Sequence, residues 1–366
     1  MRVLVVNAGS SSLKLRVVDE RDATVAAADL PPVHDLADGD LGERIAALGP
    51  CDAAGHRVVH GGEEFRAPVV VDRDVRDRLG ALAALAPLHQ PHSLAALDAV
   101  SGALPGVPAV ACFDTAFHAT LPPAAATFPV PAEWRHDLGL RRYGFHGLSH
   151  AYAARRAGEM APRAHRVVTC HLGAGASLAA VRDGRSVDTT MGFTPLDGLV
   201  MATRSGALDP GAVLWLVTEA HLDPRHVAAA LERASGLVGL AGTADMREVT
   251  ERAAAGDGDA TLALEVYVHR LRAAIAAMVA ALGGLDALVF TGGVGENSAA
   301  VRAAAAGGLG FLGVVLDPAD NAAARPDVDV TGRGSQARVL VIAAREEVEI
   351  ARGTRGALAE RPANAG

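Results

Sequence analysis

The sequence feature that most constrains the fold is a short motif that occurs twice, nearly half the chain apart. An apolar run at 3–6 leads into a small polar turn at 7–12, and an extended segment follows it. The apolar run at 167–170 leads in the same way into a glycine-rich turn at 171–177. Each copy is typical of a β-hairpin with a tight turn. We therefore expect two similar halves, with a boundary near residue 150.

Strand-like and helix-like segments alternate through the rest of the chain, and this alternation predicts an α/β fold. Two domains also suit a chain of 366 residues of which 50% are hydrophobic. Residues 20–50 show no clear pattern. The further predictions are strands at 107–112, 287–291 and 339–343, helices at 73–86, 93–104, 149–160 and from about Glu346, and proline-rich loops at 87–92 and 121–131.

Composition and charge exclude several classes of protein. The net charge of -8 excludes a strongly basic nucleic-acid binder. The longest apolar stretch, 273–285, is too short to span a bilayer and indicates a buried helix, and the N-terminus has no signal-peptide pattern. Cys51, Cys112 and Cys170 are widely spaced, which indicates reduced thiols and no disulfide framework. We expect a cytoplasmic protein that binds neither nucleic acid nor membranes.

Lysine is nearly absent, since Lys14 is the single lysine among 34 lysine and arginine residues. A Walker A loop needs a lysine directly after glycine, whereas Leu13 precedes Lys14, so this phosphate-binding loop is excluded. Lys14 stands at the end of the first turn, where a compact ammonium group could contact anionic oxygens. If the chain binds ATP, it does so with another scaffold.

Small turns follow strands at 7–12, 171–177 and 292–298. Such turns expose consecutive backbone N–H groups, and their glycines let a phosphate group approach closely. In the first turn the serines add hydroxyl donors, and Asn7 could hold a magnesium-bound water. An ordinary hairpin turn is the alternative for any one of them, but their recurrence favours phosphate binding. Asn297 or Ser298 is suited to cap a helix after the third turn.

Arginine and histidine residues beside small residues are further candidates. Arg57 and Arg204 carry the planar guanidinium group that suits a carboxylate or a transferring phosphoryl group, although either could be a solvated surface residue. His146 and His150 have a spacing that binds zinc on a helix, but no third ligand is evident, so a phosphate-facing imidazole is favoured. His171 heads the second turn, where a histidine is more often a structural residue of the core or loop than a ligand.

A series of longer motifs spans nearly the whole chain: VVNAGSSSLK at 5–14, HRVVHGG at 56–62, FDTAFH at 113–118, RYGFHGLSH at 142–150, MGFTPLDGL at 191–199, TRSG at 203–206 and FTGGVGEN at 290–297. In this order they resemble the motifs of the acetate kinase family, which belongs to the acetate and sugar kinase and actin-like ATPase superfamily. The resemblance implies two ribonuclease-H-like α/β domains around a nucleotide cleft, and a homodimer. It implies an N-terminal acyl-substrate and phosphate domain at 1–150 plus about 347–366, and a C-terminal nucleotide-binding domain at 151–346.

The resemblance also implies roles for individual residues. The catalytic residues would be Arg57, Asp114, His146 and Arg204. Acetate would be bound by Arg57, Val59, Leu88, Phe145 and Pro195. The nucleotide and its phosphates would be bound by Ser10, Ser12, Lys14, His171, Leu172, Gly173, Ala174, Gly175, Asp245, Met246, Arg247, Gly293, Val294, Gly295, Glu296 and Asn297. Asn7 and Glu346 would hold Mg²⁺ or Mn²⁺, largely through water.

The implied reaction is the reversible transfer of the γ-phosphoryl group of ATP to acetate, which gives acetyl phosphate and ADP. Direct in-line transfer relies on alignment and charge stabilisation, which suits a site of Arg, His, Lys and Mg²⁺. Asp114 is the family's candidate acid or base. Because the carboxylate of acetate is already ionised at neutral pH and has no proton to lose, we expect Asp114 to orient Arg57 or a magnesium-bound water.

The sequence departs from the family pattern at several positions. Ala174 stands where the family usually has Asn, so one side-chain contact to phosphate is missing. Ala202 and Ala207 replace residues that are usually Gly and Asp, and Arg345 replaces Asn or Asp. The chain is also shorter than most relatives across residues 20–55. These departures leave the catalytic efficiency and the phosphoryl donor open.

Other functions also stay open at this point. A propionate or other short-chain acyl kinase would share these motifs, because one methylene changes binding in an apolar pocket by only about 1–3 kcal/mol. A non-catalytic protein of the actin-like ATPase fold would share the turns but would not need Arg57, Asp114, His146 and Arg204 together. An inactive relative is a third alternative, for which Ala174 and Ala202 are the only arguments.

Overall fold

The computed structural model describes residues 1–9, 12–37, 39–87 and 89–360. The predicted site residues Ser10 and Leu88 lie outside the described residues, as does the end of the predicted N-terminal domain at 361–366.

The chain packs into two compact units, and each is made of more than one segment. The first unit comprises residues 1–119, 145–152 and 345 onward, and the second comprises 120–144 and 153–344. These units are defined by packing, and the functional domain boundaries near 150 and 346 stay a prediction.

Each unit contains a six-stranded sheet. The first sheet consists of β1 (Val3–Ala8), β2 (Leu13–Val18), β3 (Thr24–Leu30), β4 (Ala53–Val58), β5 (Val69–Val70) and β6 (Ala109–Phe113). The second sheet consists of β7 (Arg166–Leu172), β8 (Ala176–Arg182), β9 (Arg185–Thr189), β10 (Ala287–Thr291), β11 (Val328–Asp329) and β12 (Arg338–Val341).

Helices occur in both units of the described chain and are numbered in chain order. They are α1 (Asp40–Ala47), α2 (Arg73–Ala81), α3 (Gln90–Ala103), α4 (Pro123–Ala126), α5 (Ala132–His136), α6 (Gly147–Met160), α7 (Pro210–Thr218), α8 (Pro224–Arg233), α9 (Gly236–Ala241), α10 (Met246–Ala254), α11 (Gly258–Leu282), α12 (Gly292–Asn297), α13 (Ala299–Gly307), α14 (Pro318–Ala323) and α15 (Glu346–Ala359). Short 3₁₀ helices lie at Val33–Asp35, Leu82–Leu85, Ala116–Thr120 and Gly310–Leu312.

The two sheets have the same strand order. The first runs β3-β2-β1-β4-β6-β5, and the second, taken from the opposite edge, runs β9-β8-β7-β10-β12-β11. In each sheet the three strands of the opening meander are antiparallel, the next two strands are parallel to the first, and a short antiparallel strand forms the edge. The predicted repeat and the α/β fold of two ribonuclease-H-like units are confirmed.

The first sheet is covered by helices on both faces, as its central strand shows. Alternate side chains of a strand point to opposite faces. Leu4 and Val6 pack in one cluster with residues of α1 and α3. Val3 and Val5 pack in another with Ile350 of α15. Burial on both faces holds the carboxyl end of β1 firmly in place.

Helix α15 lies close to the strands of the first sheet and packs against β1, β4 and β6. Gly55 in β4 permits this approach, because a Cβ atom at this position would lie only 2.3 Å from Thr354 Oγ1. The close packing places the N-terminus of α15, with Glu346, near the carboxyl ends of these strands.

The second sheet carries the long helix α11, which packs against β7, β8 and β9. Asp257 caps its N-terminus, and Gly283 ends it with a φ of 69°. This helix contains most of the apolar stretch 273–285, so the predicted helix is confirmed. It is buried on one face only, because Ile275, Met278 and Leu282 are buried whereas Ala273, Ala277 and Ala280 are exposed. Within the described ranges, no helix is both long enough and apolar enough to cross a membrane.

Several local predictions were wrong. The loop predicted at 87–92 ends early, because α3 begins at Gln90 with Pro91 in its first turn, where the missing N–H costs nothing. The unpatterned residues 20–50 contain β3 and α1, and the loop predicted at 121–131 contains the short helix α4. The glycine-rich third turn is itself the helix α12, and Ser298 then caps α13 by accepting a hydrogen bond from Val301 N at 3.3 Å.

Candidate active site

In the first unit, chemically active side chains lie at the carboxyl ends of adjacent parallel strands. Asn7 is near the end of β1, Arg57 near the end of β4, and Asp114 directly follows β6. In the register of these strands, Val6 lies opposite His56, and Arg57 lies opposite Cys112. Because the carboxyl ends of parallel strands meet at one edge of a sheet, the three side chains come together there.

Arg57 is held by Asp114 through two hydrogen bonds. Arg57 Nε donates to Asp114 Oδ1 at 3.0 Å, and Nη2 donates to Oδ2 at 2.5 Å. Arg57 Nη1 also donates to Asn7 Oδ1 at 3.2 Å. The Asp114 side chain is 2% exposed and that of Arg57 is 18% exposed. This geometry fixes the plane of the guanidinium group at the strand ends.

Glu346 completes this cluster from the N-terminus of α15. Its Oε2 accepts a hydrogen bond from Asn7 Nδ2 at 3.2 Å, although the two residues are 339 positions apart. The same oxygen lies 3.9 Å from Arg57 Nε. Burial raises the pKa of Glu346, and the charge of Asp114 adds to this, while Arg57, Asn7 and Lys14 oppose it.

Arg57 stays charged in this setting. Burial alone would lower the pKa of the guanidinium group, but the negative charges of Asp114 and Glu346 outweigh it and raise that pKa above its ordinary value. The cluster therefore offers a fixed cation beside acidic oxygens.

The oxygen atoms of Asn7, Asp114 and Glu346 suit a hard cation such as Mg²⁺. Among the described residues, no group of at least three His, Cys, Asp or Glu side chains is arranged to enclose a metal ion. Mg²⁺ usually keeps several waters and is bound by one or two carboxylates together with substrate phosphates. The chemistry of these residues therefore fits Mg²⁺ bound through water and phosphate, the role that the resemblance implies for Asn7 and Glu346.

The first hairpin brings Lys14 next to this cluster. Asn7 and Lys14 are directly opposite each other in the β1–β2 pair, and the Lys14 side chain is exposed. Gly9 N donates to Ser12 O at 2.8 Å, which closes the turn. The lone lysine thus lies beside the carboxyl end of β1, where its charge reaches Glu346.

His146 lies at the start of α6, with a positive φ of 55°. Its backbone oxygen accepts the first helical hydrogen bond, from His150 N at 2.9 Å. The next residue, Gly147, donates its N–H to Asp114 O at 2.9 Å, and a Cβ atom on Gly147 would lie 2.1 Å from that oxygen. Only glycine permits this approach, so the backbone joins His146 to Asp114.

Two of the apolar residues predicted for the acetate pocket, Val59 and Phe145, are buried. Val59 directly follows β4, and Phe145 packs its ring edge-on against His60, with ring centroids 5.5 Å apart. His118 Nε2 shares a hydrogen bond with Phe145 O at 3.0 Å. The sequence analysis missed His60 and His118, although both lie inside the motifs at 56–62 and 113–118.

In the second unit, two small turns meet at one edge of the sheet. Thr291 at the end of β10 lies opposite His171 in β7. The turns that follow are close together, because a Cβ atom on Gly173 would lie 3.9 Å from Gly293 N. Gly292 needs its glycine, since its φ is 77° and a Cβ atom would lie 2.8 Å from Leu172 O.

A cavity of about 620 Å³ lies beside these turns. The predicted nucleotide-binding residues that line it are Gly173, Ala174, Asp245, Met246, Arg247, Gly293, Val294 and Asn297. Residues that the sequence analysis missed include Ala202, Leu237, Thr250, Glu251, Tyr267 and Ser298. Tyr267 comes from the middle of α11, and no local pattern marks it.

In the second unit, the other predicted nucleotide-binding residues belong to the two turns or to the strand end before them. His171 and Leu172 end β7, and Gly175 O accepts a hydrogen bond from Gly173 N at 3.0 Å. Gly295 is buried within α12. Glu296 directs its carboxylate to the main chain, where Oε1 accepts hydrogen bonds from Gly292 N at 3.1 Å and Ala344 N at 2.8 Å.

Asp245 and Arg247 form an exposed pair at the start of α10. Asp245 caps this helix by accepting a hydrogen bond from Arg247 N at 2.9 Å, and it also pairs with the Arg247 guanidinium at 2.7 Å. These hydrogen bonds from Arg247 lower the pKa of Asp245. The pair presents both charges at the cavity lining.

The structure brings Arg204 and Pro195 together in the second unit. Arg204 Nη1 lies 3.5 Å from Pro195 O, and Nε donates to Glu232 Oε2 at 3.0 Å. The sequence analysis missed Glu232, which lies in α8 outside every motif. Arg204 is therefore anchored by a carboxylate, as Arg57 is in the first unit.

Comparison with known proteins places this architecture in a family. The family model described as "Acetokinase family" matches residues 43–352. A protein named "Acetate kinase" from Nostoc punctiforme is 43% identical, across 96% of this chain and 98% of its own. One of the same name from Leifsonia xyli is 45% identical, across 96% of this chain and 97% of its own.

Solved structures agree with this relationship. The acetate kinase of Porphyromonas gingivalis matches with a TM-score of 0.89 and 33% identity, covering 98% of this chain and 99% of that one. A propionate kinase from Francisella tularensis matches with a TM-score of 0.90 and 35% identity, covering 97% of this chain and 99% of that one. The family model, the relatives and the shared structure together show that the chain belongs to the acetokinase family.

Proposed function

We propose that the chain is an acetate kinase, which transfers the γ-phosphoryl group of ATP to acetate and back by direct in-line displacement. The observation that carries this proposal is the two-point pair between Arg57 and the buried Asp114, beside Asn7 and Glu346. A fixed guanidinium group recognises a carboxylate or a phosphoryl group by geometry as well as charge. Membership of the acetokinase family supports the same reaction.

Each of the proposed catalytic side chains has a distinct role. Arg57 binds the acetate carboxylate and aligns it, since a guanidinium group has more N–H donors than its present contacts use. Arg204 and His146 stabilise the charge that spreads over the equatorial oxygens of the transferring phosphoryl group. Asp114 positions Arg57. It is not required as a base, because the attacking carboxylate is already ionised.

The methyl group of acetate is bound by apolar side chains. Val59 and Phe145 are buried beside the Arg57 cluster, and Pro195 lies next to Arg204. Leu88 belongs to the same proposed set. In this proposal these side chains exclude water from the reacting carboxylate and select a small acyl group by size.

We propose that the cavity in the second unit binds the adenosine of ATP. Its volume of about 620 Å³ and its position beside two glycine-rich turns support this assignment. The exposed N–H groups of these turns suit phosphate oxygens. Ser10, Ser12 and Lys14 of the first hairpin contact the phosphates in this proposal, and Asp245, Met246 and Arg247 contact the nucleoside.

Asn7 and Glu346 hold Mg²⁺ or Mn²⁺ through water in this proposal. Their mutual hydrogen bond sets the direction of both side chains. When bound with the nucleotide, the ion supplies positive charge between the phosphate groups. Arg57, adjacent to both residues, keeps the local charge of the carboxylates balanced.

Hydroxamate trapping of acetyl phosphate tests the reaction. We expect a signal that requires acetate, a nucleotide and Mg²⁺, and that EDTA abolishes. Arg57→Ala should reduce kcat/KM at least about 100-fold, as expected when a charged contact to the reacting group is lost. Arg66→Ala, which removes an exposed arginine bonded to Glu63 O, should leave it unchanged.

The absence of any acetate-dependent signal with ATP, GTP or pyrophosphate would contradict the proposal. Nucleotide hydrolysis without an acyl product would favour a switching ATPase of the actin-like fold. Detectable binding of ADP without any turnover would identify an inactive relative.

A short-chain acyl kinase with a larger substrate is the second candidate, favoured by the similarity to the Francisella tularensis propionate kinase. The two activities differ by one methylene in the apolar pocket, which changes binding by only about 1–3 kcal/mol. The ratios of kcat/KM for acetate, propionate and butyrate decide between them. We expect acetate to give the highest value.

We also propose that the protein acts as a homodimer. Support comes from α7 of the second unit, which is almost wholly apolar and has no buried residue in the single chain. Leu214 and Trp215 are 64% and 58% exposed there. Light scattering should give twice the chain mass, and Trp215→Glu should give a monomer. Phe311→Ser, which changes an exposed side chain of another segment, should stay dimeric.

We further propose that the protein resides in the cytoplasm. Its cysteines Cys51, Cys112 and Cys170 are free thiols, the state that a reducing compartment maintains. Cell fractionation against a periplasmic marker enzyme tests this location.

A further inference from the structure

Two residues proposed to act in catalysis, His146 and Glu346, occupy equivalent places along the chain. The chain passes from the second unit to the first between Gly144 and Phe145, and again between Ala344 and Arg345. His146 and Glu346 are each the second residue after such a passage. Their positions therefore depend on how the preceding residues are held.

Both passages are anchored by hydrogen bonds within the second unit. Tyr143 N and Gly144 N both donate to Gly192 O, at 3.0 and 3.3 Å. In the second passage, Ala343 N donates to Asp327 Oδ1 at 2.9 Å, and Ala344 N donates to Glu296 Oε1 at 2.8 Å. The segment before Glu346 is thus held by two carboxylates.

Glu296 differs from Asp327 because it also belongs to the proposed nucleotide site. The oxygen that accepts from Ala344 N accepts from Gly292 N at 3.1 Å as well. Gly292 is the first residue of α12, which contributes Gly293, Val294 and Asn297 to the cavity lining. One carboxylate oxygen therefore joins the start of the cavity helix to the last residue before the passage to Glu346.

The other end of α12 is fixed by a buried arginine. Arg302, which is 2% exposed, donates from Nη1 to Gly295 O at 2.9 Å and to Glu296 O at 2.8 Å. Its Nε donates to Asn321 Oδ1 at 2.7 Å. The backbone of Glu296 is therefore held rigidly, and a shift of α12 moves the carboxylate that binds Ala344.

We propose that Glu296 is a positioning residue that couples the nucleotide bound at α12 to the placement of Glu346. This inference rests on the proposed function, because it uses the roles assigned there to the cavity and to Glu346. Without the carboxylate, the amides of Gly292 and Ala344 lose their common acceptor. Ala343 N keeps its hydrogen bond to Asp327, but Ala344, the last residue before the passage, is no longer tied to α12.

A double-mutant cycle with Glu346 tests this coupling. Glu296→Ala, Glu346→Gln and the double variant are compared with the unmodified chain by calorimetric binding of ADP with Mg²⁺ and by kcat for acetyl phosphate formation. We expect each single change to weaken binding about 10-fold, the loss typical of a removed charged hydrogen bond. Because both substitutions act through Glu346, the double variant should bind ADP with Mg²⁺ less than about 3-fold more weakly than either single variant.

Further variants separate positioning from folding. Glu296→Gln keeps an oxygen that can accept from both amides, so it should bind within about 3-fold of the unmodified chain. Glu296→Asp keeps the charge, but its side chain is too short to reach both donors, so it should bind ADP as weakly as Glu296→Ala. If Glu296→Ala does not unfold cooperatively, Glu296→Asp takes its place in the cycle. Glu265→Ala, which removes an exposed glutamate of α11, is the matched control.

Independent effects, with the losses of the two single variants multiplying in the double variant, would overturn the coupling. A chain that binds ADP with Mg²⁺ but forms no acetyl phosphate would overturn the proposed function instead. In that case the ADP affinities of the four variants would still test the role of Glu296.

Discussion

Arg57 and Asp114 face each other across adjacent parallel strand ends and form a two-point ion pair, with Nε–Oδ1 at 3.0 Å and Nη2–Oδ2 at 2.5 Å. Both carboxylate oxygens are engaged by the guanidinium group, and the carboxylate is almost fully buried. This arrangement supports a positioning role for Asp114, because a general base would need an oxygen directed at the substrate. The orientation of Arg57 is therefore fixed by the position of Asp114 at the same edge of the sheet.

Asp114→Asn should lower kcat/KM for acetate at least about 100-fold, because breaking a buried charge pair costs about 3–5 kcal/mol. The asparagine amide can accept only one of the two Arg57 donors, so the plane of the guanidinium group is no longer fixed. Raised pH should not restore the activity. The matched control is Asp98→Asn, which breaks a two-point pair with Arg76 on the surface and should change activity less than about 2-fold. Recovery of Asp114→Asn by added small bases would contradict the positioning role.

Lys14→Arg should keep the charge but lower kcat/KM for ATP by about 5- to 10-fold, because a planar fork cannot replace a compact ammonium group. Lys14 lies directly opposite Asn7 in the β1–β2 pair, beside the cluster proposed to bind Mg²⁺ and phosphate. The reverse exchange Arg16→Lys, on the same face of β2, serves as the control and should have no effect. Steady-state kinetics with varied ATP measure both. Unchanged kinetics for Lys14→Arg would show that the reaction does not require a lysine at this position.

Ala174→Asn should strengthen ATP binding. Ala174 is exposed and lines the cavity beside the second turn, so an amide there adds a donor toward the phosphates. One hydrogen bond of this kind contributes about 0.5–1.5 kcal/mol, which corresponds to about a 2- to 10-fold lower KM for ATP. Ala300→Asn adds the same group at another exposed position of the lining and should leave KM unchanged. A rise in KM with Ala174→Asn would show that the turn does not face phosphate.

The stability of the protein should fall as the pH drops from about 6.5 to about 4, partly because of His56. This side chain is 1% exposed, and neither ring nitrogen finds a hydrogen-bond partner within the described ranges. Burial lowers the pKa of His56 to about 4 from its ordinary 6.5, while the charge of Asp98 opposes this. Below pH 6.5 the unfolded chain takes up a proton that the folded chain refuses, so unfolding becomes easier until about pH 4.

His56→Leu should reduce the acid-induced loss in the free energy of unfolding by about 3 kcal/mol. Urea unfolding at pH 7.5, 5.5 and 4.5 measures this free energy. At pH 7.5 the variant should be at least as stable as the original chain, because no polar group is left unsatisfied. His136→Gln, which changes an exposed histidine, should keep the original pH dependence. An identical pH profile for His56→Leu would show that His56 is hydrated or bonded in the folded chain.

Local sequence patterns were sufficient for the hairpins β1–β2 and β7–β8, because short apolar runs and small turn residues act over a few positions. They were insufficient for α12, whose glycines disfavour a helix in isolation. Neighbouring strands and Arg302 hold its backbone in place. Local sequence patterns also failed to predict β3, because its alanines give too weak an alternation between apolar and polar residues.

By itself, the sequence determined the types of chemistry available: the arginines and the lone lysine, the small turns, the repeated halves and the family motifs. Only the tertiary structure decided which groups act together. Arg57 and Asp114 are 57 positions apart, Glu296 and Ala344 are 48 apart, and Arg204 and Glu232 are 28 apart. Their pairing depends on strand register and on the packing of α8, α12 and α15, which arise from burial of the whole chain and not from any local pattern.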